Sequence, residues 1–327
     1  MGTTRVAFVS SGESPFIERD RAILRSAFVV HNVSWRGKRS LVPLASAVAR
    51  SDVTFSWFAL DHAYAACRIA RVLRRKSLVV VGGVDAANRS DLSYGVFLKP
   101  RMARRTRYAI AESDRVLIVD DNLRAEIIRN SGVRRGDIIT VPLGFDTEVL
   151  RPDGGPKTTV LTVAFVTDST VAVKGLLTFA EAARLLPDLP FVLVGAGENA
   201  ATERLRQAAP PNLSIVGPLF GDRLLEQFRR ARVYVQVSRS EAFGSALAEA
   251  MACGCIPIGT RVGGIPNVIG DTGFFVPIGD AAATAAAIRQ AYGSEDGARA
   301  RTRIIEEFPL ERRRRALVEI VRRVAEK

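Results

Sequence analysis

Two glutamates, Glu241 and Glu249, bracket a glycine where an apolar run gives way to a helical pattern. The run 233–237 reads as a strand, and Ser238-Arg239-Ser240-Glu241 as the polar loop beyond its carboxyl end. Gly244 lets the chain turn tightly into a helix, which Gly254 stops. The backbone N–H groups of Phe243, Gly244 and Ser245 fall at the helix start, where no carbonyl one turn earlier can accept them. Together with the positive end of the helix dipole they form an anion site suited to a diphosphate. A carboxylate does not favour a phosphate, so the two glutamates are expected to face hydroxyls. Glu249 suits those of a ribose and Glu241 those of a sugar.

In this setting the sequence resembles the retaining nucleotide-sugar glycosyltransferases of family four, whose mark is the motif seen here as Glu241-Ala-Phe-Gly-Ser-Ala-Leu-Ala-Glu249. Glu249-Ala-Met-Ala-Cys-Gly254, Gly263-Gly264-Ile265-Pro266 and Asp271-Thr-Gly-Phe-Phe-Val-Pro277 follow in the family's order and spacing. Val173-Lys174-Gly175 resembles the family's lysine-glycine motif, which implies that Lys174 sets a positive charge against the leaving diphosphate. Gly195, Gly197, Pro218 and Leu219 match turns that flank the nucleotide base in the family. The resemblance covers most of 160–327 closely and the first half mainly in outline. It implies two Rossmann-like domains around a shared cleft (the GT-B architecture), transfer with retention of configuration, and no bound metal or other cofactor. It also implies a nucleotide-sugar donor, and leaves the acceptor open between lipid-linked carriers, glycans and small molecules. The sequence departs from the family in three ways: Asp168 and Ser169 stand where an arginine is usual, Asn267 stands where glutamate is common, and the glycine pair after the first strand is reduced to Gly12, a donor-binding candidate. The first two departures motivate an alternative, a non-catalytic nucleotide-sugar-binding or scaffold protein of the same fold.

The elements that must position these residues alternate. Apolar runs at 6–9, 53–58, 78–81, 116–119 and 138–141, then at 160–166, 191–194, 213–216, 233–237, 256–258 and 274–276, read as buried strands. Helical patterns lie between them, so the fold class is α/β, with two doubly wound parallel sheets. Breakers at 151–156 mark a linker, giving domains 1–152 on the acceptor side and 153–327 on the donor side. The last helix, about 310–325, is a candidate to cross back to the first domain. Ligands bind beyond the carboxyl ends of such strands. His62, Gly82, Gly83 and Asp85 follow strands of the first half and are candidates for the acceptor or sugar side.

The bulk numbers narrow the field. With 327 residues and 47% hydrophobic content, two packed domains are expected. No apolar stretch is long enough to span a bilayer, and the start reads as a strand rather than a signal peptide. Three cysteines suit a reducing, cytoplasmic setting. No Asp-X-Asp occurs that would clamp a metal-bound diphosphate. The net charge of +13 lies mainly in the first half. Its clusters, Arg71, Arg74, Arg75, Lys76 and Lys99, Arg101, Arg104, Arg105, Arg107, read as solvated helix faces or as a face for an anionic membrane or acceptor. They lack interleaved aromatics, so no nucleic acid partner is expected. A nicotinamide-dependent oxidoreductase is disfavoured because Gly12 stands without a Gly-X-Gly-X-X-Gly fingerprint.

Overall fold

A computed structural model describes residues 4–326. The chain divides into two compact units. The first comprises the residues up to Gly144 together with those from Glu311 on, and the second is Phe145–Leu310.

The first unit carries strands β1 (Arg5–Ser10), β2 (Val29–Ser34), β3 (Val53–Trp57), β4 (Lys76–Val81), β5 (Arg115–Ile118) and β6 (Ile138–Thr140), in the order β2-β1-β3-β4-β5-β6. The second carries β7 (Thr159–Val163), β8 (Phe191–Val194), β9 (Leu213–Val216), β10 (Ala231–Gln236), β11 (Ile256–Thr260) and β12 (Phe274–Val276), in the order β12-β11-β10-β7-β8-β9. Every ladder is parallel. Central strands are buried on both faces, as their continuous apolar runs require: β3 has no exposed residue, and β1 only Arg5.

Each sheet has a point where the winding reverses, between β1 and β3 in the first and between β7 and β10 in the second. The loops leaving two neighbouring strands diverge there, and the crevice between them is where α/β sheets bind ligands.

The sequence reading omits β2. It is an edge strand with mostly half-buried and exposed residues, so His31 and Asn32 interrupt the apolar run without cost. The division between units falls at 144/145, earlier than the 152/153 expected. Phe145 belongs with the second unit because it pairs with Pro309, donates its N–H to Phe308 O and accepts from Leu310 N. The breaker segment 151–156 is an exposed loop within that unit.

The last helix, Leu310–Ala325, packs with the first unit, burying Arg313, Leu317, Val318, Val321 and Val324. Arg313 makes a buried two-pronged ion pair with Asp20, Nε to Oδ1 at 2.6 Å and Nη2 to Oδ2 at 2.7 Å. Its Nη1 donates to the carbonyls of Val141 and Pro142, and Trp57 Nε1 donates to Asp20 Oδ2 at 2.8 Å. No helix among the described residues is long and apolar enough to cross a membrane.

Candidate active site

Lys174 follows β7 and Glu241 follows β10, so both stand at the reversal point of the second sheet. Lys174 Nζ donates to Glu241 Oε2 at 2.6 Å. The same oxygen accepts from Gln236 Nε2 at 2.7 Å, and Gln236 Nε2 also donates to Ser238 Oγ at 2.9 Å. Behind it the Tyr234 hydroxyl donates to Gln236 Oε1 at 3.2 Å and accepts from Val163 N at 3.3 Å. A line of side chains along β10 therefore fixes the carboxylate, and the carboxylate fixes the ammonium.

Two glycines make this approach feasible. Gly175 has φ +64, and a Cβ there would lie 2.2 Å from Val237 O. Val173 O, close by, accepts from Arg239 N at 2.7 Å, which pins the lysine turn onto the exit of β10. Gly263 has φ +53, and a Cβ would lie 1.6 Å from Glu241 O. The Lys-Gly and Gly-Gly-Ile-Pro motifs are thus both conditions for the placement of Glu241.

Gly244, with φ +101, opens the helix Ser245–Ala252 with no side-chain cap, and Gly254 with φ +79 follows it. Glu249 is buried on that helix and accepts from Ser245 Oγ at 3.3 Å. Phe243 is different from what its place in the turn suggests. Its ring is buried between Phe145 (6.1 Å, stacked) and Phe308 (5.4 Å, edge-on), so the side chain anchors the loop and only its backbone faces the helix start.

Farther along the same sheet edge, Gly195 has φ +115 and a Cβ would meet Ala164 O at 2.2 Å. It brings the turn after β8 against the loop after β7. Gly197 is less constrained, its Cβ position lying 3.2 Å from Asn199 Nδ2. Pro218 is exposed and Leu219 half-buried beside them. Sequence reasoning missed two neighbours. Phe165 and Phe220 are 58% and 60% exposed, with ring centroids 6.2 Å apart. Exposed aromatics beside glycine turns are the signal that was available. Asp168 is ion-paired to Arg204, so the position where the family usually has an arginine is a neutralised carboxylate.

In the first unit, Gly12 lies exposed after β1, and a Cβ there would meet nothing within 4 Å, so packing does not demand a glycine. His62 is fully buried, and its Nε2 donates to Trp57 O at 2.5 Å. Burial pushes its pKa down to about 4, leaving a neutral ring under the β3 loop. The ring is turned inward, which argues against its expected place beside a sugar. Asp85 is likewise buried and accepts from the backbone N–H groups of Ala59, Gly82 and Gly83 at 2.7, 3.0 and 2.9 Å. Burial outweighs these three donors and pushes its pKa up to about 6. It ties the β3 and β4 loops together. Gly82 is the close-contact point: a Cβ would lie 2.5 Å from the Phe58 ring, and Phe58 itself has φ +67. A bulky residue held in that region is strained, and it follows β3, one of the two strands at the reversal point of the first sheet.

No group of three or more His, Cys, Asp or Glu side chains able to share a metal occurs among the described residues. All three cysteines are buried free thiols.

Residues 159–294 match the family "Glycosyl transferases group 1". The second unit is a group 1 glycosyl transferase domain. The chain is 31% identical over 254 residues to alpha-maltose-1-phosphate synthase of Mycolicibacterium smegmatis, covering 67% of this chain and 65% of that protein. It is 25% identical over 178 residues to a subunit of the phosphatidylinositol N-acetylglucosaminyltransferase of Arabidopsis thaliana, covering 52% and 40%. The chain thus spans less than two thirds of the length of either relative. Among solved structures, Anabaena HepE in complex with UDP-glucose superposes with a TM-score of 0.79 at 14% identity, covering 98% of this chain and 99% of that one. The likeness runs through both units and shows the GT-B fold. The group 1 glycosyl transferase domain contains every motif discussed above from Lys174 to Gly263, and the first unit is matched in fold.

Proposed function

We propose that the chain transfers a sugar from a nucleoside diphosphate sugar to an acceptor hydroxyl, with retention of anomeric configuration and without a bound metal. The observation that carries this reading is the Lys174–Glu241 pair at the reversal point of the second sheet, inside a group 1 glycosyl transferase domain.

In this reading the bond from the anomeric carbon to the diphosphate oxygen breaks, and a bond to the acceptor oxygen forms on the same face. The acceptor proton leaves with the diphosphate. Lys174 and the helix start at Gly244 and Ser245 stabilise the negative charge that builds on the leaving group, the kind of preorganised electrostatics that dominates such sites. Glu241 holds the lysine in place and accepts from sugar hydroxyls with its other oxygen. Glu249 accepts from the ribose. Phe165 and Phe220 offer the nucleobase an apolar stacking surface beside Gly195 and Pro218.

A thermal-shift titration with uridine, guanosine and adenosine diphosphates and their sugar conjugates tests the donor half of this reading. One nucleotide is expected to raise the midpoint, since a ligand of the native state stabilises it by mass action. Chelator leaves the shift unchanged, and Glu249→Ala removes most of it. A folded protein that none of these ligands shifts would overturn the proposal.

The aromatic pair supplies a second expectation. Phe165→Ala/Phe220→Ala weakens nucleotide binding by roughly 5–100-fold, the range of one lost base–aromatic stack. Unchanged affinity in calorimetric titration would place the base elsewhere.

A further inference from the structure

Four of the nine cationic residues clustered in the sequence face a carboxylate, and a fifth donates to a backbone carbonyl. Arg71 pairs with Glu112 at 2.5 Å, Arg105 with Asp61 at 2.7 Å and Lys76 with Asp114 at 3.2 Å. Arg75 lies 3.8 Å from Asp52, and Arg107 donates to Ser131 O at 2.9 Å. A different set of cations in the first unit gathers around one cavity.

The loop from β2 into the helix Leu41–Ala49 opens onto a cavity of about 620 Å3 lined by Ser34, Arg36, Lys38, Arg39, Ser40 and Pro43. No carboxylate is among these residues. Arg36, Lys38 and Arg39 line it without an ion pair among the described residues. The loop is held in shape without using their charges. Gly37 turns with φ +76, Ser40 N donates to Gly37 O, and Arg36 N donates to Ser40 Oγ at 2.7 Å. Immediately after it, Leu41 is 41% and Val42 79% exposed on the first turn of the helix.

Three unpaired cations beside two exposed aliphatic side chains make a two-part surface. A soluble phosphate would need the charges alone. A bilayer with anionic headgroups uses both parts, phosphates against the cations and the interfacial layer against the aliphatics.

We propose that this loop, Arg36, Lys38 and Arg39 with Leu41 and Val42, docks the chain on an anionic lipid surface by binding phosphate-bearing headgroups. The inference goes beyond the sugar-transfer reading and does not depend on it.

Sedimentation of the full chain with phosphatidylcholine vesicles, with and without phosphatidylglycerol, tests it. The protein is expected to bind the anionic vesicles and not the neutral ones. Arg36→Gln/Lys38→Gln/Arg39→Gln lowers the partition coefficient by about 100-fold, since each basic residue at such a surface contributes about fivefold. Val42→Asp lowers it by roughly tenfold with the charges intact. Arg101→Gln/Arg104→Gln/Arg134→Gln removes the same charge elsewhere and changes binding by only a few-fold. An equal loss in that control would mean non-specific attraction and overturn the proposal. So would absence of vesicle binding, including the case where inorganic phosphate stabilises the wild type but not the first triple variant, which marks a site for soluble phosphate. Unfolding midpoints with and without nucleotide, measured on every variant, keep a folding defect or a failed donor site distinct from a failed docking surface.

Discussion

Lys174→Met is expected to slow donor turnover by about 10²–10³-fold, with nucleotide affinity changed far less. The asymmetry follows from where the ammonium stands. In the structure its charge is balanced by Glu241 at 2.6 Å, and the same carboxylate oxygen also accepts from Gln236. The pair keeps a cation at the carboxyl end of β7 without asking it to bind anything strongly at rest. Its charge matters most when the sugar–phosphate bond stretches and negative charge builds on the leaving oxygen, so its loss appears in kcat more than in KM. Glu241→Gln keeps the size of the side chain but removes the counter-charge, and turnover is expected to fall by a comparable factor because Lys174 loses its anchor. The two losses are therefore not additive: Lys174→Met/Glu241→Gln should be little slower than the slower single variant. Release of nucleoside diphosphate under single-turnover conditions reads all three. Near wild-type turnover in Lys174→Met would remove the lysine from the chemistry.

Much of this site was legible because its constraints are local. The Glu241–Glu249 spacing, Gly244 and Gly254 describe one loop and one helix, and the structure places that helix at Ser245–Ala252 as read. Buried strands were equally plain, since a parallel sheet covered on both faces demands unbroken apolar runs. The edge strand β2 escaped for the converse reason: half of its surface is not covered, so His31 and Asn32 can sit in it.

What stayed hidden depends on partners far away in the chain. Nothing in Lys174 or Glu241 alone shows that they pair with each other rather than each facing a ligand. His62 and Asp85 looked like cleft residues because they follow strands, yet both side chains turn inward to satisfy backbone groups of the same loops. The arginine clusters looked free because their carboxylates, Glu112 and Asp61, arrive from other elements. Phe165 and Phe220 come from loops after different strands and become a pair only when the sheet is assembled.

Arg313 is the instructive omission, and it leads to the second large effect. It stands in a run of four arginines, and helical periodicity places it on one face with Leu317, Val321 and Val324, a face that is buried. There it meets Asp20 in a pair with almost no solvent exposure on either side. Breaking such a pair leaves an uncompensated charge in the interior, which costs about 3–5 kcal/mol. Arg313→Met is therefore expected to lower the calorimetric midpoint of the first unit by roughly 6–20 °C. The transition of the second unit, which contains neither residue, should move little. Asp20→Leu/Arg313→Met removes both charges and should recover about half of the loss, because replacing a whole buried pair by apolar groups is far less costly than halving it. Recovery stays partial because Trp57 Nε1 and the carbonyls of Val141 and Pro142 then lose their partners. If Arg313→Met left the midpoint within a degree or two, the ion pair would not be what fastens the last helix, and the apolar stripe of Leu317, Val321 and Val324 would have to hold it alone.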